Sequence, residues 1–160
     1  MRLILLSIGR SRAGPERDLV ERYIGRAAAA GRSIGFSSVE LREFDESRAQ
    51  RPQDRKIEEA KTLRAALGAG ATFIACDETG KNLSSNDFAA QLGNIRDAGI
   101  ATLGLVIGGP DGLDPAFRAE ARLAIAFGAM TWPHQLARVL AAEQIYRAMT
   151  ILTGHPYHRI

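Results

Sequence analysis

Apolar positions in this chain follow two rhythms. Short unbroken runs at Arg2 to Ile8, Thr72 to Cys76, Leu103 to Ile107 and Leu123 to Phe127 read as strands buried on both faces. Val39, Leu41 and Phe44 alternate with polar partners, which predicts a further strand with one exposed face. Between these runs the apolar spacing turns helical. Pro15, with Glu16 and Asp18 close behind, opens a helix carrying Leu19, Tyr23 and Ile24, and Gly31 and Gly35 break it. Ile57, Ala60, Leu63 and Leu67 form one stripe from Pro52 to Leu67. Phe88, Leu92 and Ile95 follow a cap at Ser84 or Ser85, and Asp114 caps the short helix DPAFRAEA. The longest helix begins at Pro133, runs to about Leu152 and stops at Gly154. Asp77 to Lys81 reads as a turn, and Asp45 to Asp54 as a charged, mobile loop. Four or five strands separated by helices predict an α/β fold: a mostly parallel sheet with helices on both faces, in a single domain over residues 1–160.

Composition narrows the classes. At 46% hydrophobic and 24% charged, the 160 residues match a soluble globular protein, and no apolar stretch approaches the roughly 20 residues of a membrane span. The start, MRLILLSIGR, forms a good first strand and lacks the core of a signal peptide, so the cytoplasm is the default location. A single cysteine, Cys76, rules out an internal disulfide and a cysteine-cluster metal site, and its place in a buried strand reads as an inert core thiol. The net charge of +3 permits a nucleic-acid partner without demanding one.

Three stretches carry candidate chemistry. In Ala101 to Gly112, ATLGLVIGGPDG, a buried strand ends in Gly108 and Gly109, at the strand end where ligands of open α/β sheets bind. In Gly128 to Pro133, GAMTWP, backbone without bulk is followed by soft apolar surface from Met130 and Trp132 and a hydroxyl from Thr131, a mixture suited to a nucleoside-like ligand. The tail, GHPYHRI, sets His155 and His158 around Tyr157 beside Arg159, offering rings to stack on a base and a cation to meet phosphate. No dinucleotide fingerprint, Walker loop, HExxH or GxSxG is present, and no metal is expected.

The order IGGPDG, MTWPHQLARVLAAEQIYRA and GHPYHR, with DETGKNLSSNDFA between strand and helix, resembles the bacterial ribosomal RNA large-subunit methyltransferase H family across essentially the whole chain. These are small members of the SPOUT superfamily of knotted S-adenosylmethionine-dependent methyltransferases. The resemblance implies a homodimer with a C-terminal trefoil knot, a feature that hydrophobic patterning does not reveal. It implies donor contacts at Cys76, Gly108, Phe127, Gly128, Ala129, Met130, Thr131 and Trp132. It also implies methylation of N3 of a pseudouridine in helix 69 of 23S rRNA on the assembled 70S ribosome. His155, Tyr157, His158 and Arg159 would complete the site across the dimer interface. Cys76 stands where relatives commonly have leucine, and Phe127-Gly128 replaces a serine-rich pair; both changes keep small or apolar contacts.

The implied chemistry suits these residues. The sulfonium donor is already a strong electrophile, so the protein must align the nucleophile and manage one proton. His158 or His155 is the expected assisting group, with Tyr157 on the base and Arg159 on phosphate. Three other readings remain: a knotted methyltransferase acting on tRNA, a non-catalytic ribosome-binding relative and, on pattern alone, a doubly wound nucleotide-binding enzyme, against which the missing phosphate-loop motifs count.

Overall fold

The computed structural model describes residues 1–157. Five strands form one sheet: β1 (Arg2–Ile8), β2 (Ser38–Phe44), β3 (Thr72–Asn82), β4 (Thr102–Ile107) and β5 (Leu123–Ala126). Their order is β2-β1-β4-β3-β5, and every neighbouring pair is parallel. The sheet is thus wholly parallel, and all strand ends of one polarity gather on one edge. Helices α1 (Pro15–Gly31), α3 (Ser85–Asp97) and α5 (His134–Thr153) cover one face, and α2 (Pro52–Leu67) and α4 (Pro115–Ala119) the other.

Alternation along the strands builds both cores. Leu3 and Leu5 of β1 join Leu103, Leu105 and Ile107 of β4 under α1, α3 and α5. Ile4, Leu6 and Ile8 point the other way, toward Leu63 and Leu67 of α2 and the stacked rings of Phe73 and Phe117. A strand buried on both faces has no polar side to show, which is why these runs read as continuous hydrophobic segments. The caps behave as their side chains dictate. Ser84 accepts from the Asp87 N–H at 3.1 Å, and Asp114 accepts from the Phe117 N–H at 2.9 Å.

Three sequence expectations are corrected. The strand expected to stop at Cys76 runs on to Asn82: the register shifts after Cys76, and Lys81 and Asn82 pair again with Ile125 and Ala126. The residues of the expected turn form an irregularity inside the strand, held by Asp77, whose carboxylate accepts from the Thr79 N–H at 2.9 Å. The loop expected to be mobile is tied down. Asp45 pairs with Arg10 at 2.7 Å, the Ser47 N–H donates to buried Glu59 at 3.0 Å, and Arg55 donates to the carbonyls of Ala49 and Gln50. β5 also ends one residue early, at Ala126.

Candidate active site

The carboxyl edge of the sheet opens into a cleft of about 530 Å³ between the irregular segment of β3, the loop after β4 and the loop after β5. Of the residues implied to hold the donor, Cys76, Gly108, Phe127, Gly128, Met130, Thr131 and Trp132 line it. Ala129 belongs to the same loop but is exposed and does not line the cleft. The apolar walls come from Ile107, Leu113 and Ile125 as well as Met130 and Trp132.

The loops are held from behind. Arg55 of α2 grips Asp111 with two hydrogen bonds, at 2.6 and 3.1 Å, and so fixes the GGPDG loop; that bidentate pair keeps Asp111 below the ordinary carboxylate range. The loop also closes on itself: the Gly112 N–H donates to the Gly109 carbonyl at 2.8 Å, and a Cβ on Gly108 would lie 3.0 Å from the Gly112 carbonyl carbon. Across the cleft, the Gly128 N–H donates to the Asn82 side chain at 3.1 Å, and the Trp132 indole N–H donates to the Phe127 carbonyl at 3.0 Å. Thr131 donates to Glu78 at 3.4 Å. The continuation of β3 past Cys76 therefore supplies Glu78 and Asn82 to the second loop.

Electrostatics in the walls are mostly settled by pairing. Asp77 meets Arg118 at 3.1 Å, and Arg118 also donates to Thr79 at 2.7 Å. Burial pushes Asp77 up, but the Thr79 and Arg118 hydrogen bonds and the Arg118 charge outweigh it and leave the carboxyl below its ordinary value. Burial pushes the Cys76 thiol well up, with Asp77 adding to the effect, so it is an apolar contact rather than a nucleophile. His134 opens α5 and lines the cleft. Burial first, then the charge of Arg138 one turn on, hold its imidazole below the ordinary value, against a smaller opposite pull from Glu46.

Arg138 is itself buried. It donates to Glu43 and to the Ser11 hydroxyl, both at 2.6 Å, which locks the start of α5 to the end of β2 and to the loop after β1.

His155 and Tyr157 lie elsewhere. α5 has 20 residues, so its two ends are about 30 Å apart. His155 follows its far end and is exposed. Tyr157 folds back on the helix: its ring sits 4.6 Å from that of Tyr146, the Arg147 guanidinium lies 5.2 Å from its centroid, and its hydroxyl contacts Glu143 at 3.2 Å. Burial first, then Tyr23 and Glu143, push the Tyr157 phenol up to about 12, so it remains a neutral donor. Glu143 is nine residues past His134, about 13 Å along the axis and half a turn round. Tyr157 in this pose does not reach the cleft of its own chain. His158 and Arg159 lie outside the described residues.

Among the described residues no three His, Cys, Asp or Glu side chains are grouped to hold a metal ion, and no helix is long and apolar enough to cross a membrane. Sequence reasoning missed Asn82, Glu78, Arg55 and Arg118 as parts of the site, because each acts on a loop distant in sequence. His134 was the exception in having a visible signal, since it directly follows the Trp132-Pro133 pair.

The chain with this parallel sheet and cleft is a SPOUT methyltransferase by family: a profile described as "Predicted SPOUT methyltransferase" matches residues 1–158. The chain is 59% identical over 159 residues to "Ribosomal RNA large subunit methyltransferase H" of Methylocella silvestris, covering 99% of each chain, and 57% identical to the protein of that name from Beijerinckia indica subsp. indica, again over 99% of each. It belongs to the ribosomal RNA large subunit methyltransferase H family. Among solved structures, a probable methyltransferase from Bordetella pertussis Tohama I overlays with a TM-score of 0.48 at 17% identity, covering 92% of this chain and 95% of that one.

Proposed function

We propose that this protein is a homodimeric enzyme that moves the methyl group of S-adenosylmethionine to N3 of a pseudouridine in helix 69 of 23S rRNA, on the assembled 70S ribosome. The observation that carries the proposal is the near full-length identity to the methyltransferase H relatives, joined to a cleft formed by the very loops implied to hold the donor. The cleft fits that molecule: about 530 Å³ is within the range of roughly 300–1,000 Å³ for small-molecule sites. When bound, the donor supplies an electrophilic methyl. Ile107, Leu113 and Trp132 offer it apolar walls, and Gly108 and Gly128 let backbone approach it closely.

The reacting base is met by a second subunit. Each cleft lies far from its own chain's Tyr157, and a tail from a partner copy would bring His155, Tyr157, His158 and Arg159 to it. Two further observations support the dimer. An apolar groove of about 400 Å³, with Leu83, Phe88, Phe127, Trp132 and Leu140 among its walls, runs beside α5. Leu136 on the same helix and Trp132 are 39% and 40% exposed, apolar surface that a second copy would cover. In the completed site Tyr157 stacks on or hydrogen-bonds the base and Arg159 holds phosphate. A ribosomal substrate implies a cytoplasmic location.

The test is transfer of a labelled methyl group from S-adenosylmethionine, offered separately to 70S ribosomes lacking the native modification, free large subunits, naked rRNA and tRNA. Label on 70S particles alone, mapped to N3 of the helix 69 pseudouridine, is the expected result. Label on tRNA moves the substrate, and donor-independent ribosome binding without label leaves a non-catalytic relative.

A further inference from the structure

We infer that His134 is the group that accepts the N3 proton during methyl transfer, a role that rests on the methyl-transfer reading above and moves it away from His155 and His158. The argument begins with the titratable side chains that line the cleft: Lys56, Cys76, Asp77, Glu78, Asp111, Arg118 and His134. Asp77 is committed to Arg118 and Thr79, Asp111 to Arg55, and Cys76 is a desolvated thiol. Lys56 and Arg118 are cations with no free lone pair. Glu78 accepts from the Thr131 hydroxyl at 3.4 Å and holds the second loop. Among the described residues that line the cleft, His134 is the one imidazole.

Its placement fits the task. The residue is half-buried and lines the cleft, no hydrogen bond among the described residues engages its ring, and with the buried Nδ1 carrying the proton Nε2 is the nitrogen left to accept. The ring stands on the first residue of α5, and Arg138, locked by Glu43 and Ser11, anchors that turn. Around it lie Arg138 on its own helix, Glu46 from the loop after β2, and Lys56, Asp77, Glu78 and Arg118 in the cleft walls. Burial and Arg138 keep it unprotonated at neutral pH, ready to accept.

The step balances. The N3–H bond breaks and its proton passes to Nε2, giving an imidazolium. The N3 electron pair forms the bond to the methyl carbon, and the methyl–sulfur bond breaks with its electron pair going to sulfur. The sulfonium thereby becomes a neutral thioether, so one positive charge leaves the cleft as another appears on His134. The net charge of the site is unchanged, which offsets the cost of charging an imidazole near Arg138. The proton then leaves to solvent through the open cleft.

The experiment is single-turnover methyl transfer to 70S ribosomes from acid to alkaline pH, with wild type, H134N, H134Q, H155N and H158N, and donor affinity measured by calorimetry on each. Wild type should show an acid limb below the ordinary histidine value of about 6.5. H134N and H134Q should bind the donor as wild type does, lose roughly 10²–10⁴-fold in rate at neutral pH and lose the acid limb, their rate climbing with pH as N3 ionises unaided. H155N and H158N should keep the limb. An H134N enzyme that keeps the limb, a loss of donor affinity as large as the loss of rate, or disappearance of the limb in H155N or H158N instead would overturn the assignment. A wild type that labels no ribosome overturns the methyl-transfer reading itself.

Discussion

Gly80→Ala should destabilise the protein by about 3 kcal/mol or more and, at this size, lower its melting temperature by roughly 8 °C. A Cβ at this position would lie 2.5 Å from the Ile125 carbonyl carbon, 2.6 Å from its nitrogen and 2.7 Å from the Ala124 carbonyl carbon. All three are backbone atoms of β5, so no side chain can swing aside. The relief available is for β5 to move off β3, and β5 leads directly into the loop that forms half the cleft. Donor binding should therefore fall with stability. Gly104→Ala is the informative control. Its Cβ would come still closer to a neighbour, but that neighbour is the tip of the Leu67 side chain, which can change rotamer. Denaturant unfolding of the two variants should rank Gly80→Ala as the costlier; the reverse order would show that β5 is looser than its pairing implies.

Arg138→Ala should cost about 3–5 kcal/mol, because it strands a carboxylate in a desolvated site. The Arg138 side chain is 4% exposed and that of Glu43 is 15% exposed, with 2.6 Å between them. The Ser11 hydroxyl, 2.5 Å from Glu43, is a poor substitute for a guanidinium. Replacing both members by leucine should recover much of the loss, since two apolar side chains leave no unpaired charge. The exposed Arg17–Glu21 pair, by contrast, should contribute little to stability and fade with salt. A denaturation double-mutant cycle on each pair separates the two cases. It also reports on the site, since Arg138 fixes the turn that carries His134.

How far the sequence reaches into this molecule depends on the distance over which each interaction acts. The strands of the central sheet and the α2 boundaries were readable because burial on both faces, and one apolar stripe, are local patterns. Asp77 to Lys81 misled because aspartate, threonine and glycine so close together have turn chemistry, and whether the chain resumes pairing afterwards depends on β5, more than forty residues later. The loop after β2 looked mobile for a similar reason: its partners, Arg10, Glu59 and Arg55, are set by the tertiary fold. The glycines of the cleft were legible, while the pairs that brace it, Arg55–Asp111 and Asp77–Arg118, join residues 56 and 41 apart in sequence and left no periodic trace. Two histidines around Tyr157 announced chemistry, but not that Tyr157 would dock on Tyr146, away from its own cleft.

The length of α5 has a genetic consequence. One helix begins in the cleft wall and ends at Thr153, just before His155, so in the proposed dimer each working centre would take its wall from one copy and its tail from the other. A lesion at Gly108 and a lesion at Tyr157, each disabling when every copy carries it, are then expected to complement when expressed together. In every mixed pair one centre gathers both defects and the other gathers neither. Two alleles of one small gene would behave as though they belonged to different genes.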